Sequence, residues 1–446
     1  MKSQNNSIID YLKNNFKIPE EQPKYIQKIR ENAAKELTTE GFPTSKDEKW
    51  RKTKLKDFLN HYYHPGFGKI EDKYLEDTCL IPELKNKNIN LINGYYLGEK
   101  QLETLSNGII IGSITSAIHQ YPELIKKYFH QLVSKQKNPF NNLNTALFTG
   151  GLFVYIPENV KGFTLQINHK LDAKVDALLN IRNLIIAESG SEIDIIQCDD
   201  SNTHRSHLAT FVSEIFIAEN AQLNWYKYQN INNLSALFSN SYYQVEANGT
   251  LYTNFFELNG KLLRNEQFVD ITGKNASVDL FGLYLTDKTQ QSDNVIFISH
   301  SSEGSYSNQK FKGIIDDSGK AFFNGQILVQ KNAQQTNAYQ KNDNILLTDK
   351  ARISSQPFLE IYADDVSCSH GSTTGEIDKE ALFYIRQRGI ALHDAKLLQL
   401  YAFSGEIIDA IKIPELIEPT KDLVKKRLNG QLEVCEDCIL QCASKT

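Results

Sequence analysis

Six cysteines spread unevenly over 446 residues are too few for a disulfide framework. Neither sign of charge dominates. The 54 acidic against 49 basic residues leave a net charge of −5, which argues against a nucleic-acid partner. No apolar run approaches the ~20 residues a membrane span needs. The opening MKSQNNSIIDYLKNNF has neither the apolar core nor the small-residue cleavage site of a secretory signal. A phosphate loop of the form GxxxxGK[ST] is missing, and Asn259-Gly260-Lys261 lacks the glycine frame around it, so the chain is not expected to hydrolyse ATP. A GxSxG nucleophile elbow is missing too. What is present is a chain with 40% hydrophobic and 23% charged residues, expected to be globular and cytoplasmic.

The first ~90 residues read as lysine-rich helix. Tyr25, Ile26, Ile29, Ala33 and Leu37 line one helix face, which Gly41 and Pro43 then stop. Trp50, among charges in KDEKWRKTK, suits a packing anchor, and another helical pattern runs from Tyr121 to Gln136. Pairs of histidines three apart, His61 with His64 and His204 with His207, lack a surrounding ligand pattern. Cys79 and Cys198 read as structural.

From about Leu147 short strands of Val, Ile, Phe, Tyr and Thr take over. A weak repeat of polar turn and strand marks them. Taking Gly190, Ala221, Gly249, Ala276, Gly319 and Ala351 as equivalent gives spacings of 31, 28, 27, 43 and 32 residues. Turn–strand units at a near-constant period, without helices between them, predict a parallel β-helix in which each coil buries its apolar face on the next. The chain therefore divides into a helical region over 1–145 with a mixed connection, a β-helix over 146–371 and a helical domain over 372–446. In the last part Asp378 reads as the N-cap of KEALFYIRQR, and Gly389 as its left-handed stop. Two more helices are expected, from about Leu392 to Ala410 and from Thr420 to Leu428.

Where the β-helix ends, Cys368 and His370 stand two residues apart in a strand pattern. They face the same way, with α-carbons roughly 6–7 Å apart. Thiol and imidazole both suit iron or zinc. Closed metal sites usually need four ligands, so the remainder would come from elsewhere, such as a second subunit. The same spacing also fits a buried cysteine and a hydrogen-bonded histidine. An open terminal coil is an unpaired edge that invites association, and here edge and ligands coincide. Asp316-Asp317 reads as a turn, and Asp364-Asp365 as framing the strand end. Adjacent strand residues face opposite sides, so neither pair can flank a glycosidic bond. In the tail, Cys435, Cys438 and Cys442 would share one helix face, which suits zinc or an iron–sulfur cluster, a redox-sensitive tail or an inert one.

Three stretches resemble one family. GFPTSKDEKWRKT (Gly41–Thr53), LNTALFTGGLFVYIPENV (Leu143–Val160) and the long run His300–Gly371 are similar to the SufB/SufD family, scaffold subunits of a sulfur-mobilisation machinery for iron–sulfur cluster assembly. The CSHG of Cys368–Gly371 and the chain length look like the SufD branch. The resemblance implies a β-helix core and a non-catalytic scaffold. It also implies pairing with a SufB-like subunit through the terminal coils, and docking of a SufC-like ATPase on the C-terminal helices, with Phe383, Tyr384, Arg386 and Arg388 as candidate contacts. ATP-driven movement would let iron and sulfur meet at a site including His370 and Cys368. No cofactor is expected on this chain alone, only a transient iron or cluster in the complex, and a homodimer is conceivable in isolation. The competing reading is a stand-alone β-helix enzyme acting on carbohydrate, which would need an open groove of carboxylates along the solenoid flank.

Overall fold

The computed structural model describes residues 7–65, 81, 84, 87–201 and 203–432. Strands make up 42% and helices 24%, arranged as a parallel β-solenoid of about 7 turns with helices at both ends. The predicted β-helix is borne out.

Each coil gives one strand to each of two stacked sheets. Alternate strands from Ala177–Ala187 to Arg352–Ile361 form the parallel run of the first sheet, and those from Phe163–Lys170 to Val366–Gly375 that of the second; strands of the N-terminal region, some antiparallel, extend both sheets at the other end. Pairing is parallel and in register, so a position in one coil sits over its equivalent in the next, as in the column Leu280, Gln309, Gln340, His370. The register is fixed at one corner of the coil. There Gly190, Asn220, Asn248, Asn275, Gly304 and Gln335 all take positive φ, between 54° and 70°. Asparagine tolerates this left-handed conformation better than most residues. Each of these N–H groups donates to a carbonyl of the following corner, from Gly190 to Glu219 O through to Gln335 to Asp365 O. The strands therefore stack with their corners already bonded.

This corner corrects the repeat read from sequence. Gly190, Ala221, Gly249 and Ala276 precede strands of the second sheet, whereas Gly319 and Ala351 precede Lys320–Val329 and Arg352–Ile361 of the first. The aberrant spacing of 43 is the jump from one corner to the other. Within one corner the positive-φ residues lie 27 to 31 apart.

The lumen is apolar towards the glycine/asparagine corner, where Leu223, Trp225, Leu251, Val278 and Leu280 meet Ile215, Val245, Val269 and Ile296. The outer faces are covered too. Helices Lys24–Glu40 and Pro139–Leu147 pack with Trp50 on the first sheet. Trp50 is the expected anchor: its ring lies 5.2 Å from Phe140, and the Arg264 guanidinium sits 3.9 Å above it. On the second sheet, Leu400, Ile407, Leu416 and Leu423 of the C-terminal helices join Tyr226, Tyr228, Tyr252 and Phe256 in one cluster.

Local details of the helices depart from sequence in three places. The pattern expected over Tyr121–Gln136 breaks into a helix, Pro122–Tyr128, and a 3-10 turn, Val133–Lys135, with φ 66° at His130 between them. Tyr25 and Ile29 are only half-buried, and Arg30 and Ala34 take the buried positions beside Ile26, Ala33 and Leu37. The last helix runs Pro414–Leu428, beginning six residues before Thr420, because Pro414 at its first turn needs no N–H partner and presets φ. Pro419 then lies inside it. The helix before it spans Leu392–Ile408. Asp378 caps Lys379–Gln387 by accepting from the N–H groups of Glu380 and Ala381, and Gly389 has φ 82°. No described helix is long and apolar enough to cross a membrane.

Candidate functional site at the terminal coil

Among the described residues, the last strand of each sheet is paired on one side only. Val366–Gly375 bonds to Thr336–Leu346 and Arg352–Ile361 to Lys320–Val329, leaving two parallel open edges side by side. Neither strand has a buried residue. Phe358, Ile361 and Tyr362 are large apolar side chains left exposed there.

Cys368 and His370 both lie in this strand, over Ala338 and Gln340 of the coil beneath. Ala338 and Gln340 are buried, so this face looks into the solenoid and, in the last coil, out of its open end. Cys368 is half-buried against Ile327, Val329 and Ala338. Burial pushes its thiol up from the ordinary value, partly offset by a hydrogen bond with the Ala338 backbone. His370 is exposed. Polar groups continue along the same face. The Ser372 and Ser355 hydroxyls bond across the lumen at 2.8 Å, and Ser355 donates to Asn342 Oδ1, also at 2.8 Å. Two potential ligands are thus present, and among the described residues no cluster of three or more His, Cys, Asp or Glu could hold a metal.

The other candidates are dispersed. Cys79, Cys435, Cys438 and Cys442 lie outside the described residues. Cys198 is buried on the outer face of the second sheet, in the cluster that the C-terminal helices cover. His61 Nε2 is 2.7 Å from Asp176 Oδ2, and His64 packs edge-on to Tyr62. His207 opens a strand, fully buried, and burial lowers its ring to about 4. His204 is exposed. Asp317 sits in a turn with φ 49°, and Asp365 bonds the corner above Gln335.

Helix Lys379–Gln387 follows the terminal strand and has no buried residue. Phe383 and Tyr384 are 66% and 62% exposed, with Arg386 and Arg388 beside them. Arg388 donates to the Tyr384 hydroxyl at 2.8 Å and lies over its ring.

Sequence reading missed Gln309 and Gln340, the polar column beneath His370. The signal was available: the three lie 31 and 30 residues apart, one coil period each.

Comparison with known proteins fits this architecture. A model described as SUF system FeS cluster assembly, SufBD core domain, matches residues 169–403, and one described as the SufBD protein N-terminal region matches residues 1–167. The chain belongs to the SufBD family. The core match ends inside the helix Leu392–Ile408, so it takes in the solenoid from Ala177 onward, the open edges and Lys379–Gln387. Among SufBD relatives, an iron–sulfur cluster assembly SufBD family protein of Synechocystis is 28% identical over 422 residues, 92% of this chain and 90% of the relative. The iron–sulfur cluster assembly protein SufD of Escherichia coli K12 is 28% identical over 407 residues, 89% and 91% respectively. A SufBD family protein of Staphylococcus saprophyticus is 26% identical over 372 residues, 81% and 79%.

Proposed function

We propose that this SufBD-family chain is a non-catalytic, SufD-like subunit of an iron–sulfur cluster assembly complex. The observation that carries the reading is the coincidence at the terminal coil: two open strand edges, exposed apolar side chains and an incomplete ligand pair occupy one end of the solenoid. Backbone edges pair with another chain without needing particular side chains. A SufB-like subunit adding its own terminal strands would cover both edges and bring further ligands to His370 and Cys368. Iron or a forming cluster would then be cargo of the joint site, held by neutral imidazole and, after loss of a proton, by the thiolate.

Lys379–Gln387, with Phe383, Tyr384, Arg386 and Arg388 exposed, is the surface we assign to a SufC-like ATPase. Its position directly after the terminal strand couples the two partners: movement of the helix pulls on the edge that holds the SufB-like chain. The carbohydrate-enzyme reading is not retained, because helices cover both outer faces of the solenoid over most of its coils, where such an enzyme needs an open flank.

Co-expression with a SufB-like and a SufC-like chain tests the reading. A stable three-protein complex is expected, retaining iron and sulfide, while the isolated chain turns over neither ATP nor polysaccharide. Failure to pair with the SufB-like chain, or robust turnover by the isolated chain above a contaminant control, overturns it.

A further inference from the structure

Stacked in register, Gln309, Gln340 and His370 form one column on the lumen face of the second sheet. Neighbouring strands lie about 4.8 Å apart, so amide and imidazole side chains in such a column come within hydrogen-bond reach of one another. Gln309 and Gln340 are 0% and 3% exposed. The Gln340 amide is committed in one direction only: its Nε2 donates to Gln309 Oε1 in the coil beneath at 2.7 Å. Its Oε1 is buried with no donor among the described residues. Space for this arrangement comes from Gly325 in the facing sheet, where a Cβ would lie 2.0 Å from Gln340 Nε2. A buried acceptor without a donor is costly, and the next residue in its column is an exposed imidazole.

We infer that Gln340 is a positioning residue for His370: its Oε1 accepts the ring N–H, fixes the tautomer and turns the unprotonated nitrogen out of the open coil. A neutral imidazole carries one donor and one acceptor nitrogen, and a metal-binding histidine characteristically gives its N–H to such an outer partner. Gln309 anchors Gln340 in turn, and Gly325 keeps the amide's place open. The inference deepens the assembly reading and rests on it for its purpose; the structure leaves Gln340 Oε1 without a donor, and the bond from His370 is the step we infer, one that needs no partner chain to form.

The full chain labelled with ¹⁵N at histidine, above the ordinary pKa of the ring, reads the contact directly. The His370 signal, assigned by its loss in His370→Ala, is expected to show one dominant tautomer. Gln340→Met, which keeps the length and removes the acceptor, should return the ring to the mixture of a free imidazole, and Gln340→Glu should restore the single form. Identical tautomer populations in wild type and Gln340→Met overturn the inference. Should Gln340→Met fail to fold, a second measurement decides. In folded His370→Ala the side-chain amide resonances of Gln340 must shift, and unmoved resonances overturn it equally. Iron and sulfide in the assembled complex are a separate readout. If His370→Ala leaves them at wild-type level while the tautomer responds to Gln340, the assembly reading fails and the contact stands.

Discussion

Arg182 and Glu214 form an ion pair with no solvent exposure, Nη2 to Oε2 at 2.6 Å, on the outer face of the first sheet. The Glu214 carboxylate also accepts the backbone N–H groups of His130, Leu132 and Val133 at 2.7, 2.8 and 3.2 Å. The pair thereby fastens the N-terminal region onto the solenoid. Removing one partner leaves the other charge buried. Glu214→Ala is expected to destabilise the chain by about 3–5 kcal/mol. Arg182→Met together with Glu214→Leu should do less damage than either charge left alone, though three N–H groups then lose their acceptor. Denaturant unfolding of Glu214→Ala, Arg182→Met and the double variant checks the order.

Glu257 gives the lumen a pH response. It is fully buried facing Ser292, whose hydroxyl donates to it. Burial pushes its carboxyl from the ordinary 4.5 up to about 7, with the Asp293 charge adding to the rise and hydrogen bonds from Ser292, Asn294 and Asn265 opposing it. A carboxyl raised on folding binds its proton more tightly in the native chain. Its penalty is absent below about pH 4.5, grows as pH rises through the window to about 7, and is constant above it. The full penalty is on the order of 3 kcal/mol. Glu257→Gln should therefore gain stability relative to wild type as pH rises through this window. A stability difference that is the same at both ends would show that Glu257 does not titrate there.

How far the sequence could be read follows from which signals are local. Asp378 and Gly389 bracket a helix through bonds within a few residues, and both were legible. Alternation and period disclosed the solenoid, but not that each coil has two corners. Asparagine at 220, 248 and 275 and glycine at 190 and 304 mark one corner through positive φ, whereas Gly319 and Ala351 mark the other. With the corners merged, the column Gln309, Gln340, His370 stayed hidden. The orientation of Cys368 and His370 needed only strand geometry and was legible. Burial of Arg182, Glu214 and Glu257 was not, because what covers an outer face or fills a lumen is decided by residues tens of positions away.

Phe383 and Tyr384 carry the prediction for the ATPase surface. Helices Leu392–Ile408 and Pro414–Leu428 share a core with the second sheet, so deleting the whole C-terminal region would strip Tyr226, Tyr252 and Phe256 of their cover. Point changes on Lys379–Gln387 are the cleaner test, since that helix buries nothing. Phe383→Ala and Tyr384→Ala should each leave stability within about 0.5 kcal/mol, yet weaken binding of a SufC-like ATPase by about tenfold or more if they are interface anchors. Pairing with a SufB-like chain should be untouched. Undiminished ATPase binding by the double variant would move the docking surface elsewhere.

His370→Ala and Cys368→Ser should separate by experiment. His370 is exposed and packs little, so His370→Ala is expected to cost only about 1–2 kcal/mol, chiefly for the donor it would give Gln340 Oε1. The three-protein complex should still assemble, because edge pairing uses the backbone, while its iron and sulfide fall sharply. Cys368 is different. Its thiol is held above the ordinary value by burial against Ala338 and its neighbours, and it must lose a proton to hold iron. Cys368→Ser should therefore matter little near about pH 7 and increasingly towards about pH 9, as thiolate becomes available in the wild type. Iron and sulfide measured across this range, beside the melting temperature, check both claims. A His370→Ala chain that unfolds, or a complex that keeps wild-type iron, makes the imidazole structural. A Cys368→Ser deficit independent of pH would mean that the sulfur acts without ionising, as packing rather than as a ligand.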